Sequence, residues 1–348
     1  MDNATFIGWD IGGAHLKLAC VTTAGKVMMA AQLPMPLWQG IHLLEQSLAQ
    51  ARQLLPKAPA IHSITTTAEL VDIFSDRRSG ISTLVRKISG AMNHGDIRFY
   101  AGRAGWAPPL VADQHAGDIA SANWHATAAY VAGMVGNGIL IDIGSTTTDI
   151  IMFDKGQVRY HGYSDYERLS SCELVYTGIV RTPVMAVTDK VPILGKWQPL
   201  TAELFATMAD VYRLTGELQG QEDMHNTSDG RGKSLVDSAR RLARMVGTDL
   251  DDQDSPACWQ SVARYIAGAQ LDRIDQALQV VLSRQQGRAD SVLVGAGAGR
   301  FLAQKLAHKH GLQFIDFADL FETTSDMRIP AAVSAAAVSV AQLARLQQ

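Results

Sequence analysis

The sequence predicts a two-domain α/β protein, and three observations predict it. The first is a repeated design in which an apolar strand delivers an aspartate into a glycine turn and a second apolar strand leads away. It occurs as Phe6-Ile7-Gly8-Trp9-Asp10-Ile11-Gly12-Gly13 and returns as Ile139-Leu140-Ile141-Asp142-Ile143-Gly144-Ser145-Thr146-Thr147-Thr148-Asp149. Asp142 stands where Asp10 stood and Gly144 where Gly12 stood, and such a repeat implies two related domains. The second is an alternation of strand-like and helical stretches, the pattern of sheets wrapped by helices. The third is length, since 348 residues suffice for two cores.

Taken in order, the first hairpin ends near Gly25-Lys26-Val27, which Gly156-Gln157-Val158 echoes. Leu43, Leu44, Leu48 and Leu55 then fall at helical spacing over residues 41–55, closed by Pro56 and Pro59. Ile61 to Thr67 reads as a strand entering a polar loop, residues 81–91 as a helix and residues 97–100 as a strand. Ser121 is the expected cap of a helix running to Gly133. In the second half, helices are expected over residues 199–218, 233–246, 258–283 and 301–308, with a strand over 313–317. Residues 221–232 form a polar loop too long for a simple connector and are read as a substrate loop. A third apolar strand, Val292-Leu293-Val294, runs into Gly295-Ala296-Gly297-Ala298-Gly299, and an alanine-rich helix over residues 330–340 closes the chain.

With 31 basic residues against 34 acidic ones, a formal net charge of −3, the chain has no general field that would attract nucleic acid. Cys20, Cys172 and Cys258 are far apart, which argues against a disulfide framework or zinc ribbon and points to a reducing compartment, the cytoplasm. Neither an export signal nor an apolar membrane span is expected. The glycines of residues 295–299 miss the dinucleotide spacing because Arg300 falls where a small residue belongs. Gly232-Lys233-Ser234 mimics the end of a P-loop, but Thr227 occupies the place of its first glycine. No His-x-x-x-His pair marks a zinc site.

Carboxylates set beside glycine turns suit Mg2+, which prefers oxygen ligands and is held through one or two carboxylates plus substrate phosphates. Asp10 and Asp142 are the expected metal ligands and catalytic carboxylates. The expected phosphate contacts are Gly12, Gly13, His15, Lys17, Gly144, Ser145, Thr146, Thr147 and Asp149, with backbone N–H groups and hydroxyls facing the oxygens. Arg77, Arg181 and Arg231 lie beside polar clusters and are candidates for an anionic substrate, because a guanidinium fork matches carboxylate and phosphate. Nothing in this chemistry requires the diphosphate to belong to ATP.

The three glycine turns together resemble the phosphate-1, phosphate-2 and adenosine motifs of the actin, sugar kinase and heat-shock ATPase superfamily, with Gly295, Gly297 and Gly299 as the nucleotide-like loop. The resemblance implies two ribonuclease-H-like domains with a ligand cleft between them, one acidic residue from each at the metal. It also implies that the last helix crosses back, giving a first domain of residues 1–134 plus 331–348 and a second, with a helical insertion, of residues 135–330. Residues 142–149 and Leu174-Val175-Tyr176-Thr177-Gly178-Ile179-Val180-Arg181-Thr182-Pro183 are similar to the hydantoinase and oxoprolinase branch. Thr65-Thr66-Thr67-Ala68-Glu69-Leu70, Ser121-Ala122-Asn123-Trp124 and Ala206-Thr207-Met208-Ala209-Asp210-Val211-Tyr212 narrow this further. They resemble a subgroup linked to tetrahydromethanopterin one-carbon metabolism, whose archaeal members are furanmethanamine synthases of methanofuran biosynthesis.

That resemblance implies a transferase coupling an aminomethylfuran diphosphate to the phenol of a tyramine or tyrosine derivative, with pyrophosphate released. Asp210 and Asp229, with Arg181 and Arg231, are then the candidates for the acceptor and its base. His15 departs from the small polar residue usual in archaeal members. An ATP-dependent kinase or an oxoprolinase-like hydrolase is the alternative, with ATP as its cofactor, and a homodimer is left open.

Overall fold

The computed structural model describes residues 5–56, 59–92, 96–218, 220, 222–251, 256–284 and 292–348. The chain divides into two compact units. One comprises Met1–Leu140, Met152–Arg159 and Ile315–Gln348, the other Ile141–Ile151 and Tyr160–Phe314.

The first sheet has the order β3-β2-β1-β4-β5-β6, built from β1 (Thr5–Ile11), β2 (His15–Val21), β3 (Val27–Pro34), β4 (Ala60–Thr66), β5 (Asp96–Tyr100) and β6 (Trp106–Ala107). The first three strands pair antiparallel, as short hairpin connections require, whereas β4 joins β1 in parallel after a helical crossover. Alternation along β1 sends Ile7, Trp9 and Ile11 into an apolar core with Leu16, Leu18 and Ile64. Helices α1 (His42–Leu54) and α2 (Arg77–Ala91) contribute Leu44, Leu48, Ile81, Leu84 and Ile88 to that core. Helix α2 starts earlier than the apolar pattern suggests because Asp76 caps it, accepting from the Ser79 N–H at 2.8 Å, so Arg77 stands in a first helical turn and not in a loop.

Two further helices of this unit are α3 (Ala116–Ile119) and α4 (Asn123–Val135). Ser121 does not cap α4. It adopts a left-handed conformation with φ 54°, and its hydroxyl donates instead to the buried Glu69 carboxylate at 2.8 Å.

The second sheet has the order β10-β8-β7-β13-β14, with β9 also on β8. Its strands are β7 (Gly138–Ile143), β8 (Thr148–Asp154), β9 (Gln157–Arg159), β10 (Leu174–Val175), β13 (Val292–Ala296) and β14 (Gln313–Asp316). A separate hairpin pairs β11 (Lys190–Ile193) with β12 (Lys196–Pro199). The helices here are α5 (Asp165–Ser170), α6 (Met208–Thr215), α7 (Leu235–Met245), α8 (Pro256–Leu282) and α9 (Arg300–Lys309). The helix expected over residues 199–218 is therefore confined to α6. Residues up to Pro199 belong to β12, the Leu200 N–H is tied to the Asp189 carbonyl at 2.8 Å, and Thr207 with Asp210 forms the capping box that starts the helix.

The last helical stretch is two helices, α10 (Arg328–Val333) and α11 (Ala335–Leu346), broken at Ser334 with a 98° bend. Among the described residues no single helix is long and apolar enough to cross a membrane. That bent pair passes by length and composition together, and it is largely buried inside the first unit. Helix α11 packs on β1, β2 and β4, where Gly8 is needed: a Cβ there would sit 1.8 Å from the Ala337 carbonyl oxygen.

Candidate functional site

The two Asp-x-Gly turns close in the same way. In the first unit the Gly12 N–H donates to the His15 carbonyl at 2.9 Å, and in the second the Gly144 N–H donates to the Thr147 carbonyl at 2.9 Å. The repeated sequence thus encodes one backbone bond, spanning three residues, that turns each strand sharply after its aspartate.

Around the first turn, the Gly13 and Ala14 carbonyls accept from the Leu37 and Met35 N–H groups. A Cβ on Gly13 would strike Val71 at 2.6 Å, so close packing and not a left-handed backbone demands glycine here. The end of β4 completes the turn. The Thr66 hydroxyl donates to the Ile11 carbonyl at 2.9 Å, the Thr67 N–H donates to the same carbonyl at 3.0 Å, and Thr67 lies next to Gly12. Asp10 is buried, 8% exposed, and pairs in register with Lys17 on one side and Thr65 on the other. His15 is buried and Lys17 half-buried.

Around the second turn, Asp142, Gly144, Ser145, Thr146 and Thr147 are all half-buried, open enough to meet a ligand. Residues 176–182 brace the turn. The Ile179 N–H donates to the Gly144 carbonyl, and the Val180 and Arg181 N–H groups both donate to the Ser145 carbonyl, at 3.1 and 2.8 Å. Gly178 sits so close that a Cβ would lie 2.4 Å from the Thr146 nitrogen. The brace is held from behind by the buried Gln270 on α8, which donates to the Thr177 hydroxyl and the Gly178 carbonyl. Tyr212 on α6 donates to Gln270 at 2.5 Å, and burial raises its phenol pKa well above the ordinary value. Sequence reasoning did not single out Gly178, Thr177 or Gln270. The nearest signal was the glycine inside the stretch Tyr176 to Pro183.

The third glycine turn belongs to the same assembly within the second unit. Gly297, at φ 79°, lies against Asp142, and a Cβ would fall 2.5 Å from its carboxylate and 2.3 Å from the Ile143 carbonyl oxygen. The Gly299 N–H donates to that carbonyl at 2.8 Å. Gly295 lies equally close to the Phe314 ring. The structure thus brings Asp142, Gly144 to Thr147, the backbone of Arg181 and Gly297 into one place.

Other predicted site residues sit elsewhere. Asp149 lies on β8 in a buried ion pair with Arg168, 2.6 Å apart; burial pushes its carboxyl up and the guanidinium opposes that. Asp210 is pinned by two guanidinium groups, Arg241 and Arg213, each at 2.7 Å, and its other oxygen accepts from the Thr207 N–H. Arg241, fully buried, also bonds Asp229 at 3.0 Å. Arg213 and Lys233 both meet Asp223. Burial alone would raise that carboxyl, but these hydrogen bonds carry it below the usual range. These carboxylates join α6, α7 and the loop of residues 222–232; Gln221, at the start of the expected substrate loop, lies outside the described residues. Arg77, Arg181 and Arg231 are exposed, and of the three Arg181 is the one tied to the turn, by its backbone N–H.

Among the described residues no three His, Cys, Asp or Glu side chains gather as a metal cage. The donors at the two turns are carboxylates, hydroxyls and backbone N–H groups. Such a set fits Mg2+ only as a metal completed by phosphate oxygens and water.

Comparison with known proteins accords with this geometry. The structure is similar to that of nucleotide-free acetone carboxylase, with a TM-score of 0.56 at 11% identity, covering 98% of this chain and 70% of that one. This likeness speaks for the fold alone, a mixed α/β fold of the actin-like ATPase class. In sequence, the chain is 30% identical over 246 residues to a Methanocaldococcus jannaschii protein, covering 70% of this chain and 72% of the relative. That relative is a 4-(4-(2-(gamma-L-glutamylamino)ethyl)phenoxymethyl)furan-2-yl methanamine synthase. A Methanococcus vannielii protein of the same name is 31% identical over 115 residues, covering 33% of this chain and 51% of the relative. The profile of the hydantoinase/oxoprolinase family matches residues 61–344, and with most of the sequence accounted for in this way, the chain belongs to that family.

Proposed function

We propose that this protein is an enzyme of the furanmethanamine synthase kind, a transferase of one-carbon cofactor biosynthesis. In this reading it joins an aminomethylfuran carried as its diphosphate to the phenol oxygen of a tyramine or tyrosine derivative. A bond forms between the phenol oxygen and the furan methylene carbon, the carbon–oxygen bond to the diphosphate breaks, pyrophosphate leaves, and the phenolic proton passes to a base or to water. The observation that carries the reading is the 30% identity with the Methanocaldococcus jannaschii synthase over 70% of the chain.

The residues support a division of labour. Past Gly144, whose N–H closes the turn, residues 145–147 are held by the Gly178 brace and would offer N–H groups and the Ser145 and Thr146 hydroxyls to phosphate oxygens. Asp142 is the carboxylate of the second turn that would hold Mg2+, as Asp10 is of the first, and the metal when bound would supply positive charge to the leaving diphosphate. Asp210 and Asp229, each engaged by buried Arg241, serve better as the frame of α6 and α7 than as the base.

Purified protein incubated with Mg2+, the furan diphosphate and a phenolic acceptor is expected to release pyrophosphate and form the aryl ether. Absence of coupling with every tyrosine or tyramine acceptor, together with tight binding of Mg-ATP by calorimetry, would replace this reading with the ATP-dependent kinase or hydrolase.

A further inference from the structure

The face of the first sheet that carries Asp10 is covered by α11, and it is unusually polar for a buried surface. Strand alternation places Gly8 and Asp10 on this face, opposite the Ile7, Trp9 and Ile11 side. Register puts Ser63 beside Gly8 and Thr65 beside Asp10. Ser63 and Thr65 are both 0% exposed, and among the described residues neither hydroxyl has a hydrogen-bond partner.

A third hydroxyl joins them from the helix. The Gln342 side chain donates to the Gly25 carbonyl at the β2–β3 turn, which lies at the N-terminal end of β1 because Phe6 pairs with Val21. Ala337 lies over Gly8. Helix α11 therefore runs antiparallel to β1, and its start lies toward Asp10. Ser334, at that start, is 1% exposed; its hydroxyl makes no capping bond and has no partner among the described residues. The first N–H groups of α11 likewise have no acceptor within their own helix.

Three buried hydroxyls left open on one seam, next to a helix start, represent a large loss if the seam is dry, because buried polar groups in folded proteins are satisfied by protein or by ordered water. Bridging waters with two to four polar partners are the usual remedy. We propose that the seam between α11 and the β1–β4 face is an internal water site, held by Ser63, Thr65 and Ser334 and ending on the Asp10 carboxylate. Thr65 is then a positioning residue, which fixes the Asp10 carboxylate through a shared water. Its role for ligand binding rests on the reading of Asp10 as a diphosphate-site residue; the water site itself does not.

Crystal structures of the full chain at about 1.5 Å, where ordered waters are visible, are to be compared for wild type, Thr65→Val and Thr65→Ser, with Mg-pyrophosphate affinity measured by calorimetry on the same proteins. The expectation is water bonded to Thr65 and Ser334 in wild type, its loss in Thr65→Val with a turned Asp10 side chain, and recovery in Thr65→Ser. Mg-pyrophosphate binding is expected to weaken about tenfold in Thr65→Val and to return in Thr65→Ser, whereas a purely structural role would lower stability without moving affinity. A dry seam in wild type overturns the water site. An Asp10 orientation and a Mg-pyrophosphate affinity unaltered in Thr65→Val overturn the positioning role. Should wild type bind no Mg-pyrophosphate, the diphosphate reading fails, and the waters and the Asp10 orientation alone decide this proposal.

Discussion

At the scale of single residues, glycines decide the shape of the second turn. Gly178 sits where a methyl group would overlap the backbone of residues 144–146, Gly297 where it would overlap Ile143 and the Asp142 carboxylate, and Gly297 also needs its left-handed φ. Gly178→Ala and Gly297→Ala are expected to cost about 1–3 kcal/mol of stability and to abolish diphosphate binding, while Asp142→Asn leaves the fold intact. Denaturant midpoints and calorimetry on the three variants check this.

Asp210 offers a contrasting case. It was a candidate for the base by motif, yet the fully buried Arg241 and the half-buried Arg213 both bond it. Asp210→Asn should destabilise the protein by about 2–3 kcal/mol, because it leaves the fully buried Arg241 with Asp229 as its one remaining carboxylate. A variant of normal stability but no turnover would return Asp210 to the catalytic list. The aspartates at the turns were legible because their motif recurs with a fixed three-residue bond, whereas the role of Asp210 was not, because its guanidinium partner Arg241 comes from another helix.

At the scale of elements, hydrophobic spacing found most helices and missed where caps override it. Asp76 begins α2 before its apolar stripe, and the Thr207–Asp210 box delays α6 until after an irregular stretch. The alanine-rich end of the chain could be seen as close-packing, but not as broken at Ser334, because nothing in its composition marks the bend. The brace of residues 176–182 was quotable as a motif and still mechanically opaque, because its partners lie on a turn about thirty residues earlier and on α8.

The loop of residues 222–232 makes its own prediction. His225 is pushed down to about 4 by burial, helped by the Arg181 charge and opposed by Asp223. An unfolded chain protonates this imidazole near 6.5 while the folded one resists until about 4, so the unfolded state binds more protons in between. Stability should therefore fall as pH drops from about 6.5 to about 4, then level off. Denaturation midpoints across that range should slope less in His225→Asn than in wild type.

At the scale of the molecule, the fold class followed from the duplicated hairpin and from strand–helix alternation, and the family profile supports the same placement. The function proposed for the turns calls for an oxygen-rich anion with a hard cation, and pyrophosphate with Mg2+ is the pair with which to test it. What composition could not reveal is how much of the first unit is supplied by the end of the chain. The Val27 N–H bonds the Glu322 carbonyl, the Tyr130 hydroxyl bonds the Leu320 carbonyl, and α11 covers the very strand that bears Asp10.

This arrangement sets a timetable for biosynthesis. The opening 140 residues emerge from the ribosome well before the segment that roofs their sheet has been translated, so the nascent amino-terminal half must wait with one face of its sheet uncovered, a hazard for misassociation that favours holdase chaperones. Circular permutants that place residues 315–348 ahead of residue 5 would remove the delay and let that half mature while synthesis continues.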